Sequence, residues 1–373
     1  MMPQDALLCA AAAALAGTLA CALVPACSAD HSLLARRDGG PAAGGAGMGG
    51  AAAGGAGAAG SGAESGGGTA AVGGSGGGGE YPEPPGPTRL TLVNGVVDTT
   101  AIRLCFAPYP PGSGPSLDPW PDLPGLAFGA GRALGEMGDA LPADADVEIY
   151  ALAGDLGATQ GKGCEELVAA PGADAGPVWR AVSAGVLPQA VLASNKSVLV
   201  ALDGCAGGED HTSPGEQQIC GEGYAPGTPN LGLVAGAMSR ITLPDAVAFQ
   251  FVQASRATAA VDLRLVPGYE GALHISILYE WTWGEIAPYP PYLSFSVAEL
   301  GAFGTALLEV FPPGQISPLA AVPVAEALAR GDLGPADIAD GRGLVFVAVG
   351  AAPGVGPGPW WHPLTFAIVR SDP

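Results

Sequence analysis

The stretch RLTLVNGVVDTTAIRLCFAP at residues 89–108 decides the fold, because its pattern returns as AFQFVQASRATAAVDLRLVP at residues 248–267. In each copy a short strand with alternating apolar residues leads through a small polar connection into a second strand. The residues that alternate with the apolar positions of the second strand are Arg103 and Cys105 in the first copy, and Asp262 and Arg264 in the second. We therefore expect a tandem repeat whose strands bury one face and expose the other to water.

The repeat extends beyond these two stretches. LAFGAG (126–131) and VEIYALAG (147–154) correspond to YLSFS (292–296) and LEVFPPG (308–314), and residues 185–204 align without a gap to residues 331–350. Strict alternation in LHISILYEWTW (273–283) predicts a strand with Tyr279, Trp281 and Trp283 on its apolar face. LTFAIVR (364–370) predicts another strand, and residues 322–330 predict a short helix that ends at Gly331.

Strands of five to ten residues between Gly/Pro turns, without regularly alternating helices, indicate an all-β protein. The sequence predicts two tandem Ig-like β-sandwich modules, at residues 88–245 and 246–373. Each module carries a full set of repeat elements, so we expect residues 246–373 to fold without the first module.

Both copies resemble the bacterial domain-of-unknown-function family 4397, whose opening is a hydrophobic residue followed by Asn-Ala-Ser-Pro-Asp-Ala-Pro-Ala-Val-Asp-Val. The matching residues are Asn94, Asp98, Ala101 and Leu104 in the first copy, and Ala254, Ser255, Ala260, Val261 and Asp262 in the second. The resemblance implies secreted or anchored cell-envelope proteins built from tandem β-sandwich modules, and it implies no reaction.

The charge balance excludes one large class of partner. Acidic residues outnumber Lys and Arg by 35 to 14, and the net charge is -21. Such a chain repels phosphate backbones, so we expect no nucleic-acid partner. The Gly-rich matches to dinucleotide and nucleophile-elbow motifs lie in a segment without the required strand and helix, so we predict no cofactor.

The amino-terminal residues predict export and anchoring. Residues 1–26 are typical of a signal peptide, and LVPAC, which ends at Cys27, resembles a bacterial lipobox. Cys21 ends a competing cleavage sequence. Residues 27–87, rich in Gly, Ala and Pro, predict a disordered linker. We therefore expect an exported protein held in the cell envelope by a lipid on Cys27. By resemblance to lipoprotein sorting in diderm bacteria, Ser28 rather than Asp after the cysteine implies the outer membrane.

Four cysteines remain in the folded part, and all of them belong to the first module. They are Cys105, Cys164, Cys205 and Cys220. An even number in an exported chain predicts two disulfides, and three pairings are possible. We favour Cys105 with Cys164 and Cys205 with Cys220. Metal binding by these cysteines is disfavoured because no C-x-x-C spacing occurs, so we predict no metal site.

Aromatic residues near proline loops are the best candidates for ligand contact. Trp360 and Trp361 are adjacent, so on a strand they point in opposite directions and only one can be inside. An acidic loop with Glu209, Asp210 and Glu216 resembles a calcium loop only in composition and fits a solvated loop better.

The sequence therefore predicts a non-enzymatic envelope lipoprotein for adhesion, scaffolding or ligand binding. Its partners would be the membrane, through the lipid anchor, and a glycan or protein ligand. The alternative is a secreted carbohydrate-active hydrolase whose site is built from loops.

Overall fold

A computed structural model describes residues 71–72, 84–111, 117–136, 141, 145–169, 179–208, 216–221, 224–225, 228–268, 274–287, 293–297, 303–352 and 361–371. All of them belong to one compact unit that spans residues 62–373. The architecture is all-β, as the sequence predicts.

The first module contains two sheets. Its strands are β1 (Ala71–Val72), β2 (Arg89–Asn94), β3 (Ala101–Tyr109), β4 (Leu126–Ala127), β5 (Gly131–Glu136), β6 (Asp146–Gly154), β7 (Trp179–Leu187), β8 (Ser197–Cys205) and β9 (Asn230–Met238). Short α-helices lie at α1 (Cys164–Ala169), α2 (Gln189–Leu192) and α3 (Gln217–Cys220), and a 3-10 helix lies at Leu156–Thr159. The strand order is β1-β9-β8-β2-β5 in one sheet, called the first inner sheet, and β4-β3-β6-β7 in the other, called the first outer sheet.

The second module repeats this plan. Its strands are β10 (Val247–Gln253), β11 (Val261–Val266), β12 (Ile275–Trp281), β13 (Ile286–Ala287), β14 (Leu293–Phe295), β15 (Leu307–Phe311), β16 (Ala320–Pro323), β17 (Gly343–Val349) and β18 (Thr365–Arg370). Helix α4 (Val324–Arg330) precedes β17, and 3-10 helices lie at Phe303–Thr305 and Pro335–Asp337. The second inner sheet has the order β13-β10-β17-β18, with β14 also paired to β10, and the second outer sheet has the order β12-β11-β15-β16.

The strand pairing confirms the tandem repeat. The first strand of each repeated stretch pairs in parallel with a late strand, β2 with β8 and β10 with β17, in agreement with the gapless alignment. The second strand pairs antiparallel with β6 in one module and with β15 in the other. The predicted match between residues 126–131 and 292–296 is wrong, because β4 pairs with β3 of an outer sheet whereas β14 pairs with β10 of an inner sheet.

The four sheets stack so that the two inner sheets face each other. Each sandwich has its own apolar core between its inner and outer sheets. A third apolar cluster, the inter-module layer, joins the inner sheets and includes Leu199 and Val234 from the first module and Val345 and Val347 from the second. Strands β8, β10 and β17 are consequently buried along their whole length.

A buried ion pair also joins the modules. The Asp203 carboxylate of β8 accepts hydrogen bonds from Arg256 (2.9 and 3.3 Å) and from the indole N–H of Trp283 (2.5 Å). Burial raises the pKa of Asp203, and the charge of Arg256 and the two hydrogen-bond donors oppose the shift. Gly232 leaves the space that the guanidinium fills, since a Cβ there would clash with Arg256. The pair therefore sits in a fitted slot between the modules.

The prediction of a water-facing side on the repeated strands is wrong at three positions. Arg103, Cys105 and Asp262 are buried, and Arg264 is half-buried. Cys105 is covered because it is bonded to Cys164 of α1. Arg103 lies beneath a loop described below, and Asp262 binds two backbone N–H groups with its carboxylate. Connecting segments cover these side chains and exclude water from them. The alternation of residues within a strand does not predict where such segments pack.

Strict alternation also fails within β12. Tyr279 is 59% exposed, although Trp281 lies in the core as predicted. Two register shifts between β11 and β12 place extra residues on β12, so that Leu278 rather than Tyr279 pairs with Leu263. Leu278 packs against the core in its place.

Two residues of the predicted disordered linker have a defined partner. Ala71 and Val72 pair in parallel with Val234 and Ala235 at the edge of the first inner sheet. The predicted signal peptide and Cys27 lie outside the described residues. Among the described helices, none has the length and apolar character that a membrane crossing requires.

Candidate functional site

A cavity lies between the two modules and is lined by residues of both. This groove has a volume of about 750 Å³, within the range of small-ligand sites. One wall is formed by residues 120–128 and 130–133 of the first module. The other wall is formed by Glu326, Ala329, Arg330 and Asp332, in and after α4 of the second module.

Arg103 holds the first wall in place from below. Its Nε donates to the carbonyl of Pro121 (2.9 Å), and its Nη2 donates to the carbonyl of Pro119 (2.7 Å). Its Nη1 donates to Thr159, at the hydroxyl (2.8 Å) and the carbonyl (3.4 Å). Desolvation lowers the pKa of Arg103, and the nearby Asp122 and Asp118 oppose the shift. One buried guanidinium thus uses its fork of donors to fix the loop that lines the groove.

Backbone bonds restrict the same loop further. The N–H of Trp120 donates to the carbonyl of Leu104 (2.8 Å), and the N–H of Leu104 donates back to Trp120 (2.5 Å). The Trp120 ring is half-buried against the first core, while Leu123 is exposed at the groove. The loop therefore presents an apolar side chain from a backbone that is already ordered, which lowers the entropic cost of binding.

One ion pair and one hydrogen bond link the two walls. Arg132 of β5 pairs with Asp332 of the second module at 3.0 Å. Arg330 pairs with Glu326 at 2.6 Å and also donates to the carbonyl of Phe128 across the groove (3.2 Å). The carboxylates of Glu326 and Asp332 are thus each held by an arginine.

Phe128, which lines the groove, belongs to a stacked pair of rings that joins the modules. Phe128 stacks on His362 with centroids 4.2 Å apart and an interplanar angle of 10°. Burial lowers the pKa of His362, Arg330 lowers it further, and a hydrogen bond involving the backbone of Thr99 opposes the shift. The neutral imidazole is the form that suits this stacked, partly desolvated position.

The predicted disulfides are both present. Cys105 is bonded to Cys164, with Cα atoms 5.4 Å apart, and Cys205 is bonded to Cys220, with Cα atoms 5.1 Å apart. The first disulfide ties β3 to α1. The second closes a loop beside the inter-module layer, in which both of its cysteines lie.

Of the two predicted aromatic contact residues, the described one, Trp361, does not line the groove. Trp361 is buried in the inter-module layer. Trp360 lies outside the described residues, so ligand contact there stays a prediction. Of the acidic loop, Glu209 and Asp210 also lie outside, and Glu216 is buried and accepts a hydrogen bond from the Tyr224 hydroxyl (3.0 Å). Within the described ranges, no group of three or more His, Cys, Asp or Glu residues is placed to hold a metal.

The predicted helix at residues 322–330 is confirmed as α4, but its place in the second wall and the role of Arg103 at the groove were not predicted. The sequence did contain a signal for the role of Arg103. This arginine stands alone in an apolar strand, and the loop PWPDLPG at residues 119–125, which offers backbone carbonyl groups, follows it. No comparable signal exists for α4, because its residues meet the loop only through the stacking of the inner sheets.

Comparisons with known proteins give little further guidance. No protein-family model and no curated protein match the chain, so the resemblance to family 4397 stays a prediction. Among solved structures, the chain is similar to a crystal structure of a candidate adhesin from Bacteroides thetaiotaomicron, with 10% identity and a TM-score of 0.20. The match covers 78% of this chain and 99% of that one. A TM-score of this size does not establish a shared fold. The fold and groove define an all-β protein of two face-packed sandwiches with a cleft at their junction.

Proposed function

We propose that this protein is a non-enzymatic, lipid-anchored protein of the cell envelope that binds a glycan or protein ligand in the groove between its modules. The observation that carries the proposal is the fixed groove wall, in which buried Arg103 holds the loop that presents Leu123. Ligand-binding sites are commonly concave, lie at the boundary between modules, and are built on backbone that is already ordered.

The charged groups of the groove favour binding over hydrolysis. A glycosidase needs two carboxylates that act as acid and base or nucleophile. Of the carboxylates that line the groove, those of Glu326 and Asp332 are each paired with an arginine, and that of Asp122 interacts with the charge of Arg103. Adhesion, scaffolding and ligand capture are all compatible with this chemistry.

The anchor is supported by the sequence. A lipid on Cys27 would tether the chain, and the part of the predicted linker before β1 would let the modules stand away from the membrane. Ser28 after the cysteine favours the outer membrane. In this arrangement the groove would be presented at a distance from the lipid surface.

The proposal is tested with a single exposed groove residue. Leu123→Ser removes the apolar contact without touching the core, and Tyr109→Ser is the matched control, since Tyr109 is exposed and lies outside the groove. We expect the exported protein to bind on a glycan and peptide array, with roughly tenfold weaker binding for Leu123→Ser and unchanged binding for Tyr109→Ser at the same spots.

Two results would count against this function. One is equal binding of wild type and Leu123→Ser at every spot. The other is release of reducing ends from an arrayed glycan by the wild type, which would support the hydrolase alternative instead.

A further inference from the structure

The outer sheet of the second module carries a second candidate surface, away from the groove. β12 is an edge strand of this sheet, and its two bulges turn Tyr279 and Glu280 outward. Glu280 has a φ of 49°, in the left-handed region that non-glycine residues seldom occupy. Bulges of this kind redirect side chains, and local backbone strain concentrates at functional surfaces.

Asp262 fixes the two segments that form this surface. Its Oδ1 accepts from the N–H of Glu280 (3.0 Å), and its Oδ2 accepts from the N–H of Gly314 (3.3 Å). Gly314 belongs to the connection between β15 and β16. One buried carboxylate therefore fixes the position of the end of β12 relative to the neighbouring loop. The backbone that carries the exposed side chains is held by these hydrogen bonds.

The resulting depression has a volume of about 360 Å³ and a mixed lining. Tyr279 is 59% exposed, and Ile316 is 89% exposed. Arg264 lies over the Phe311 ring at 4.0 Å, and Gln315 contributes an amide. The surface thus combines an accessible aromatic ring with both hydrogen-bond donors and hydrogen-bond acceptors.

We propose that this surface, called the Tyr279 platform and formed by Asp262, Arg264, Tyr279, Glu280, Gln315 and Ile316, binds a neutral oligosaccharide. The apolar face of a sugar ring would stack on Tyr279, and sugar hydroxyls would bond to Arg264, Glu280 and Gln315. Tyrosine suits this role because it gives a large, rigid contact with little loss of side-chain entropy.

Two other ligand classes fit the platform less well. The chain has a net charge of -21, and two of the three charged platform residues are acidic, so an anionic polymer would be repelled. An extended peptide would add to the edge of β12, but bulges disrupt the regular row of backbone groups that strand addition requires. A neutral sugar needs neither a positive surface nor a regular strand edge.

The test uses immobilised cellohexaose, maltohexaose, mannohexaose and chitohexaose with the exported full-length protein. We expect wild type to bind at least one of them, and Tyr279→Ala to bind it roughly tenfold more weakly. Tyr279 lies outside the core, so the thermal unfolding of the variant should match that of wild type. Tyr109→Ser, at an exposed residue outside both the groove and the platform, should bind these sugars as wild type does.

A second variant separates the side chain from the fold. Glu280→Gly removes the carboxylate that would bind the sugar. Glycine adopts the positive φ of this position without strain, so the backbone is preserved. We expect it to fold normally and to bind the retained sugar several-fold more weakly, in line with the loss of one hydrogen-bonding contact.

The proposal is overturned if wild type binds none of the four sugars, or if Tyr279→Ala binds as wild type does. If Leu123→Ser loses array binding while Tyr279→Ala keeps it, the groove proposal stands and the Tyr279 platform is rejected. If Tyr279→Ala alone loses the sugars, the platform stands whatever happens at the groove.

Discussion

The buried ion pair between Asp203 and Arg256 should be a principal determinant of how firmly the two modules are joined. The Asp203 side chain is 2% exposed and that of Arg256 is 17% exposed. Asp203→Ala would leave the guanidinium in its slot without a countercharge and the Trp283 N–H without its acceptor. Removal of one partner of a buried pair costs about 3–5 kcal/mol. Since the guanidinium keeps some contact with water, we expect a loss of about 3 kcal/mol in the free energy of unfolding.

The double variant distinguishes a lost pair from lost packing. Burial raises the pKa of Asp203 despite Arg256, so desolvation outweighs the attraction within the pair. An apolar replacement of both partners, Asp203→Leu with Arg256→Met, should therefore be much less destabilised than Asp203→Ala. Urea unfolding followed by tryptophan fluorescence measures each free energy, with Trp283 as a local reporter.

The pH response gives an independent check. In Arg256→Met the carboxylate of Asp203 loses its countercharge, so its pKa in the folded protein rises further above the unfolded value. A raised folded pKa means that stability is retained at low pH and lost as pH rises through that value. The destabilisation of Arg256→Met should thus shrink as pH falls.

An exposed pair supplies the control for this experiment. Arg132 and Asp332 also link the modules, but their side chains are 51% and 66% exposed. Arg132→Met should cost no more than about 1 kcal/mol. A loss below about 1 kcal/mol for Asp203→Ala, similar to the control, would refute the reasoning.

Three further predictions concern the anchor, the module boundary and the disulfides. Labelling with a fatty-acid analogue should mark wild type but not Cys27→Ser; label that persists in Cys27→Ser and disappears in Cys21→Ser would place the anchor at the upstream cysteine. The sequence predicts that fragment 246–373 folds alone, and excision would expose its half of the inter-module layer, so we expect the folded fragment to bind a hydrophobic dye and self-associate; a monomer that binds no dye would contradict this. Loss of the Cys205–Cys220 disulfide should cost about 3 kcal/mol and affect both modules because both cysteines lie in that layer; unchanged unfolding under reducing conditions, with free thiols verified, would exclude this effect.

Local patterns were sufficient to predict much of the fold. Alternation and Gly/Pro turns predicted the all-β class, and the recurrence of 89–108 at 248–267 predicted two equivalent modules. The favoured cysteine pairing was also correct. These features depend on residues within a strand, on neighbouring strands, or on a repeated order of elements, and each leaves a signal in the sequence.

The stacking of the modules and the groove depended on tertiary structure. The continuous apolar run of β17, from Gly343 to Val349, is typical of a strand buried on both faces, but it does not say which surface covers it. That surface is the first inner sheet, more than a hundred residues earlier in the chain. The same stacking brings α4 to the loop that Arg103 holds, and it places Trp361 inside.

At β12 the sequence alone favoured the wrong face for Tyr279. Alternation assumes one residue per position on each paired strand, and the two extra residues in β12 violate that assumption. Composition and periodicity therefore determined the strands and their repetition. Contacts between distant segments decided which side chains are covered, because burial depends on what packs against a face as well as on the residues that form it.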